Sequence, residues 1–245
     1  MTSAVVCFER VSLVTVESGK NLLCDINLSL EAAETIAVLG ESGCGKTLLG
    51  SLCAGFYPPG AMVRRNSPMN VFHETALPNG IVVPQSPGRW LPAAETVGDL
   101  LHAALRNWAW TESGVQGRVD ECALLREFGF DAPEQLLDLL PEELSGGMSQ
   151  RIAIAVAAAR NPAICFVDEP TSGLDPMARR RMKSAMRSAR HRFGTLLIAT
   201  HDVEFIAGLT ERILVMRNGT ILFDGTIRSA IASADPYVQR FVAPG

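Results

Sequence analysis

The sequence has few aromatic residues, no long apolar run and no excess of positive charge. Of its 245 residues 6% are aromatic, and 22 Lys and Arg stand against 26 Asp and Glu. A nucleic-acid surface needs a basic excess and aromatic side chains that stack on bases, so this composition argues against nucleic-acid binding. No apolar run approaches the roughly 18 residues that cross a bilayer, and residues 1–10 lack the pattern of a secretion signal. We therefore expect a protein that does not cross a membrane by itself.

Two local patterns qualify this composition. The six cysteines include no C-x-x-C pair, so they predict neither a zinc site nor a disulfide framework, and we expect them to be reduced. A basic cluster lies on one helix-like stretch, where we predict a solvated helix face. Its members are Arg179, Arg180, Arg181, Lys183, Arg187, Arg190 and Arg192.

A glycine-rich loop separates a strand-like segment, residues 35–39, from a helix-like segment, residues 48–52. The loop fits G-x-x-x-x-G-K-[ST], whose glycines turn N–H groups toward a phosphate at a helix N-terminus. Lys46 is expected to reach the β- and γ-phosphates of ATP, and Thr47 to offer its hydroxyl to Mg²⁺. The predicted nucleotide-binding residues are Gly40, Glu41, Ser42, Gly43, Cys44, Gly45, Lys46 and Thr47.

Cys44 is the unusual member of this loop. We expect the positive potential of a phosphate-binding loop to lower the pKa of its thiol and to make it reactive. Bound ATP would then protect Cys44 from alkylation.

A second apolar run, residues 164–167, ends at two carboxylates. Its lack of polar alternation is typical of a strand buried on both faces of a parallel sheet, and ligands bind at the carboxyl ends of such strands. Asp168 is therefore placed to hold Mg²⁺ through water. Glu169, one residue on and facing the other way, is placed to orient or deprotonate the water that attacks the γ-phosphate.

The order and rough spacing of six elements resemble an ABC transporter ATP-binding subunit. They are the phosphate loop, Gln85, the octet Leu144-Ser-Gly-Gly-Met-Ser-Gln-Arg151, Asp168-Glu169, Ser172-Gly-Leu-Asp175 and Thr200-His201-Asp202. The resemblance spans nearly the whole chain, and the octet separates this family from other ATPases that share the phosphate loop. Within the family, Met148, residues 85–92 and Asp235-Pro236-Tyr237 look most similar to the peptide/nickel-type importers.

The resemblance gives the octet a role outside its own chain. The octet precedes an Ala-rich helical pattern, so it forms a helix N-terminus with free N–H groups. In ABC proteins this end caps the γ-phosphate of ATP held by a partner chain, which implies a dimer enclosing two Mg·ATP. The residues to which the resemblance assigns this contact are Leu144, Ser145, Gly146, Gly147 and Met148.

The resemblance also completes the catalytic set. Gln85 approaches Mg²⁺ and the attacking water, His201 faces the γ-phosphate from a strand end, and Asp175 lets the two sites of the dimer sense one another. The implied catalytic residues are thus Glu169, His201 and Gln85, and the implied Mg²⁺ residues are Thr47, Gln85 and, through water, Asp168. The family commonly stacks an aromatic residue on adenine, but residues 11–19 contain none, so we expect weaker ATP binding.

The implied fold is α/β, a P-loop NTPase (RecA-like) core with an N-terminal antiparallel β element and an inserted helical subdomain. We predict the nucleotide-binding core at residues 1–85 and 162–245, and the helical subdomain with the octet at residues 86–161. Helical spacing of apolar residues in 96–105 and 119–128 supports the insert.

A proline-rich hinge, with Pro84, Pro87 and Pro92, joins the two predicted parts. In the family, the cleft at this joint receives a short helix of the membrane subunit. We expect Trp90, Leu91 and Pro92 to line that cleft.

The expected function is ATP binding and hydrolysis in an ABC transporter, an importer of nickel, a metal complex, a peptide or a similar small solute. Its expected partners are a second ATP-binding subunit, the same chain or a related one, two membrane-spanning permease subunits and, indirectly, a solute-binding protein. The expected location is the cytoplasmic side of the inner membrane, as a peripheral subunit.

Three alternatives within the family stay open. An iron–sulfur cluster assembly factor is similar in length, but its octet usually carries charged residues after the double glycine. A DNA-repair ATPase needs a long coiled coil or cysteine pairs between the motifs, which this insert lacks. A partner that binds ATP without hydrolysis is disfavoured because Lys46, Glu169 and His201 are all present.

Overall fold

A computed structural model describes residues 4–65, 79–108 and 121–242. The first two residues of the helical stretch 119–128 lie outside these ranges. The strands are β1 (Ala4–Thr15), β2 (Asn21–Glu31), β3 (Thr35–Gly40), β4 (Ala61–Arg65), β5 (Gly80–Val83), β6 (Ile164–Asp168), β7 (Thr195–Ala199), β8 (Arg212–Arg217) and β9 (Thr220–Thr226). The helices are α1 (Lys46–Cys53), α2 (Val97–Trp108), α3 (Glu121–Glu127), α4 (Gly146–Ala159), α5 (Pro176–Ser188), α6 (Val203–Ile206), α7 (Ile227–Ile231) and α8 (Pro236–Val242).

Six strands form the sheet that carries the predicted site, in the order β5-β6-β7-β3-β8-β9. The first five are parallel, and β9 pairs antiparallel with β8. Strands β6 and β7 are buried at every position, as their apolar runs predict. Val38 and Asp168 both pair with Ala199, so the carboxyl ends of β3, β6 and β7 meet at one edge of the sheet.

Alternate side chains of this sheet pack into two apolar cores. On β3, Ile36 and Val38 join a core with α1 and the N-terminal strands, whereas Ala37 and Leu39 join a core with α2, α3 and α4. The N-terminal strands form a second, antiparallel sheet in the order β2-β1-β4, which confirms the predicted β element. Helix α1 lies so close to the large sheet that a Cβ on Gly50 would be 2.2 Å from the Phe166 ring.

Helices connect β5 to β6, and the described part of this connection contains no strand. Helix α4, which begins within the octet, is buried from residue 149 to residue 159 because it packs between the sheet and the other helices. The helices thus share one core with the sheet. The division of the chain at residues 85 and 161 therefore stays a prediction. Within the described residues, no helix combines the length and apolar character needed to cross a bilayer.

Candidate functional site

The joined carboxyl ends of β3, β6 and β7 border a cavity of about 510 Å³. Most residues predicted to bind ATP and Mg²⁺ line this one cavity, although they come from four separate parts of the chain. Neither Cys44 nor any residue of the octet is part of its lining. The lining residues are Gly40, Glu41, Ser42, Gly43, Gly45, Lys46, Thr47, Leu48, Gln85, Asp168, Glu169, His201 and Phe241.

The phosphate loop depends on glycine where the backbone must pass close to β8. Gly40 has φ 150°, and a Cβ there would lie 2.6 Å from both the Met216 carbonyl oxygen and Cys44 Sγ. Gly45, at φ 112°, is the N-cap of α1 and makes no side-chain cap. The first N–H groups of α1 are therefore available to an anion, as the motif predicts.

Lys46 and Thr47 hold the loop from the start of α1. Lys46 is 9% exposed, and its Nζ donates to the carbonyl oxygens of Gly40 at 2.9 Å and Glu41 at 3.0 Å. Thr47 Oγ1 donates to Asp168 Oδ2 at 2.7 Å. Burial raises the pKa of Asp168 above its ordinary value, whereas the hydrogen bond from Thr47 and the charge of Lys46 act in the opposite direction.

The donor set at this point fits Mg²⁺. The Thr47 hydroxyl and the Asp168 carboxylate are hard oxygen ligands, and Mg²⁺ usually takes one or two protein oxygens together with waters and nucleotide phosphates. Gln85 Nε2 donates to Ser172 Oγ at 3.0 Å, which leaves the carbonyl oxygen of Gln85 outside that bond. The described residues include no cluster of three or more His, Cys, Asp or Glu suited to a metal.

Glu169 lines the same cavity as Asp168 and has an uncommon backbone conformation. Its φ is 45°, in the left-handed region that costs a non-glycine residue roughly 1–2 kcal/mol. Its N–H donates to the Ala199 carbonyl at 2.8 Å. Strand β6 ends at Asp168, so Glu169 lies just outside the strand, and the opposite orientation of the two side chains stays a prediction. His201 Nδ1 lies 3.0 Å from Glu169 Oε2.

The segment after His201 is held by helix α5. Asp202 caps α6 by accepting from the Phe205 N–H at 2.9 Å, and Arg179 Nη1 donates to its Oδ2 at 3.2 Å. Lys183 Nζ donates to the Glu204 carbonyl at 2.6 Å. The prediction of a solvated basic face is wrong for Arg192, which donates to Glu127 Oε2 at 2.6 Å and is 19% exposed. Arg179, although bonded to this segment, is 49% exposed.

The octet starts helix α4 away from the cavity. Ser145 is the N-cap and accepts from the Met148 N–H at 3.3 Å, and both Ser145 and Gly146 are exposed. At its other end, Arg151 donates to the carbonyls of Phe128 and Gly129, and its guanidinium lies 4.0 Å from the centre of the Phe130 ring. Sequence reasoning missed this contact of Arg151, because it joins segments more than twenty residues apart.

Asp175 is the N-cap of α5. Its Oδ1 accepts from the N–H groups of Met177 at 2.8 Å and Ala178 at 2.9 Å. The sequence carried a signal for this role, since Asp followed by Pro is typical of a helix start. Its predicted part in communication between two chains is not tested by these contacts.

Thr15 and Val16 occupy the place where an adenine-stacking aromatic was expected. Thr15 Oγ1 shares a 2.6 Å hydrogen bond with Ser18 Oγ in the turn after β1, and Val16 is 59% exposed. Neither residue lines the cavity. Weaker stacking of the base stays a prediction.

Cys44 is 6% exposed, and burial raises the pKa of its thiol, an effect that the charge of Lys46 offsets only in part. The expectation of a lowered pKa is therefore wrong in direction, because desolvation of the thiolate outweighs the potential of the loop.

We expect Cys44 to be alkylated slowly at neutral pH, and faster as the pH rises above the pKa of an ordinary thiol. Peptide mapping after iodoacetamide treatment measures this, with the half-buried Cys7 and Cys24 as internal references. Faster labelling of Cys44 than of Cys24 at pH 7 would contradict the prediction.

Comparison with known proteins places the chain among ABC transporter ATP-binding proteins. A family model described as ABC transporter matches residues 23–172. The aliphatic sulfonates import ATP-binding protein SsuB 3 of Paraburkholderia xenovorans is 36% identical over 208 residues, 83% of this chain and 74% of its own length. The spermidine/putrescine import ATP-binding protein PotA of Photobacterium profundum is 30% identical over 229 residues, and the match covers 91% of this chain but 59% of that relative.

Two solved structures share the fold. An ATP-binding subunit of an ABC transporter has a TM-score of 0.67 at 23% identity and covers 96% of this chain and 95% of its own. An ATP-binding cassette in a dimeric post-hydrolysis state, bound to ADP and Pi, has a TM-score of 0.63 at 23% identity and covers 88% and 98%. At these identities the likeness concerns the α/β fold, with its antiparallel and mixed sheets.

Proposed function

This chain belongs to the ABC transporter family, in which ATP is bound and hydrolysed, and we propose that it powers an importer as one half of a nucleotide-sandwich dimer. ATP and Mg²⁺ are its cofactors. The import subunits among its relatives favour this role over the alternative of an iron–sulfur cluster assembly factor.

The position of the octet supports the dimer most directly. Ser145 and Gly146 are exposed at the N-terminus of α4, yet no octet residue lines the cavity that holds the phosphate loop. A helix N-terminus is an anion-binding group, and here it has no anion to bind within its own chain. A second chain that places its octet over this cavity would complete the site, and the reverse contact would complete the other.

Each side chain of the cavity takes one task in the proposed reaction. Lys46 binds the β- and γ-phosphates, while Thr47 and, through water, Asp168 would hold Mg²⁺, which would supply positive charge beside the phosphates. Glu169 takes the proton of the attacking water. His201, whose Nδ1 lies 3.0 Å from the Glu169 carboxylate, orients that carboxylate toward the γ-phosphate. Gln85 moves with the segment beyond β5 and reports the state of the nucleotide to the helices.

The proposed partners are a second ATP-binding subunit, two permease subunits on the cytoplasmic side of the membrane, and indirectly a solute-binding protein. The proposed cargo is a small solute. A peptide or nickel complex was expected from Met148 and residues 85–92, whereas the relatives are named for aliphatic sulfonates and polyamines. The choice of solute belongs to the other subunits.

Trp90 is our proposed contact for the permease. Trp90 and Pro92 are exposed beside the hinge. Leu91, at 3% exposed, belongs to the core shared by the sheet and the helices. The expectation that Leu91 lines a docking cleft is therefore wrong, because its side chain packs inward.

Mixing two inactive variants should restore ATP hydrolysis if the active site is shared between chains. Lys46→Ala removes the phosphate contact, and Ser145→Arg blocks the octet. A mixed dimer still has one site in which both parts are wild type. We expect a mixture of these variants to hydrolyse ATP at roughly a quarter to a half of the wild-type rate, because each mixed dimer has one intact site and at least half of the dimers are mixed.

The control mixes Lys46→Ala with Asp168→Asn, since both changes affect the same half of the site. This mixture should stay inactive. The ATP hydrolysis rate of both mixtures is measured as phosphate release over a range of total protein concentrations. If the mixture of Lys46→Ala and Ser145→Arg is as inactive as the control at every concentration, the active site is not shared between chains.

A further inference from the structure

Helix α8 lies against the phosphate loop and forms one wall of the cavity. Tyr237 donates its hydroxyl to the Met216 carbonyl at 3.2 Å, and Met216 pairs with Gly40 at the start of the loop. One turn along α8, Phe241 lines the cavity, and the two rings meet edge to face with centroids 5.1 Å apart. Residues near 240 thus reach a site whose other lining residues lie before position 202.

An ion pair joins this helix to the loop itself. Arg240 Nη2 bonds Glu41 Oε1, and the guanidinium also lies 5.2 Å from the centre of the Tyr237 ring and 5.3 Å from that of Phe241. Contact with two ring faces favours one position of the cation. Glu41 is the second residue of the phosphate loop, and its carbonyl accepts from Lys46.

The charges that line the cavity make this pair significant for nucleotide binding. The lining includes the carboxylates of Glu41, Asp168 and Glu169. Among the described lining residues, Lys46 is the one lysine or arginine. Mg²⁺ offsets the charge of Asp168, but a free Glu41 carboxylate beside the phosphates would repel the nucleotide.

We propose that Arg240 is a charge-compensating residue of the nucleotide site, which neutralises Glu41 and so permits phosphate binding at this loop. Its role is to position and neutralise a loop carboxylate, and it acts on ATP through Glu41. The proposal rests on the proposed binding of ATP and requires only that a single chain binds ATP. Its test is therefore independent of the proposed dimer and the proposed transport role.

The test is a double-mutant cycle on the isolated chain, with calorimetric titration of a non-hydrolysable Mg·ATP analogue. Arg240→Gln should weaken binding roughly threefold to tenfold, since it leaves one uncompensated charge near the phosphates. Glu41→Gln should tighten binding. The double variant should return close to the wild-type affinity, and the loss in Arg240→Gln should shrink at high salt.

Three controls make the result decisive. Arg228→Gln removes an exposed arginine of α7 and tests the effect of net charge alone. Arg240→Lys keeps the charge and should restore most of the affinity. Thermal melting confirms the fold of each variant, and if Arg240→Gln fails to fold, the tighter binding of Glu41→Gln and the rescue in Arg240→Lys decide the question.

Two results would overturn the proposal. One is wild-type affinity in a folded Arg240→Gln variant. The other is a double variant that binds as weakly as Arg240→Gln, because Arg240 would then not act through Glu41.

Discussion

Replacing Glu169 by Gln is expected to lower the ATP hydrolysis rate by roughly a hundredfold to ten-thousandfold, the usual contribution of a general base. The amide keeps the size of the side chain but cannot take the proton of the attacking water. Glu169 lines the cavity beside Asp168, and its side chain is 13% exposed, so little solvent is available to replace it. ATP binding should persist, and the bound state should accumulate as a dimer.

Phosphate release and size-exclusion chromatography with light scattering measure these two effects. Glu211→Gln is the matched control, because Glu211 is an exposed carboxylate outside the cavity lining, and it should leave both properties unchanged. A Glu169→Gln variant that turns over ATP at the wild-type rate would remove this residue from its proposed role.

Replacing Lys46 by Ala is expected to abolish both nucleotide binding and hydrolysis. Lys46 is buried and donates to the carbonyls of Gly40 and Glu41, which holds its ammonium at the loop where we propose that the β- and γ-phosphates bind. Loss of one such preorganised contact costs roughly a hundredfold to a thousandfold in rate, and the weaker binding adds to this loss in kcat/KM.

The two substitutions should differ in one measurable respect. Glu169→Gln retains bound ATP and forms a dimer, whereas Lys46→Ala does neither. Lys20→Ala, at an exposed lysine before β2, serves as the control for loss of a positive charge and should bind ATP normally. Nucleotide binding by Lys46→Ala at the wild-type affinity would contradict the place given to this side chain.

Local patterns in the sequence were sufficient to predict the strands that flank the site and the phosphate loop between them. The apolar runs at residues 35–39 and 164–167 became β3 and β6, because strands buried on both faces have no polar alternation. The sequence motifs assigned Thr47 and Asp168 to one Mg²⁺ site although they are 121 positions apart, and Thr47 Oγ1 lies 2.7 Å from Asp168 Oδ2. Parallel strands place their carboxyl ends at one edge, so a topological rule was enough.

Effects that depend on burial or on one backbone angle were not predictable in this way. The raised pKa of Cys44 results from desolvation by neighbours that lie far apart in the sequence. Glu169 lines the cavity just beyond the end of β6 with a φ of 45°, an angle that strand alternation does not describe. Leu91 could be read as a surface or a core residue until its packing partners were known.

By itself, the sequence determined the family, the two strands that flank the site at residues 35–39 and 164–167, and the residues of the phosphate loop, because these depend on short patterns with a direct physical meaning. The tertiary structure alone decided which side chains surround the nucleotide cavity and which do not. It brought α8 against the phosphate loop, with Arg240 on Glu41, and left Ser145 and Gly146 of the octet exposed at the start of α4. Distances between remote segments are set by packing of the whole core, and no local pattern in the chain contains them.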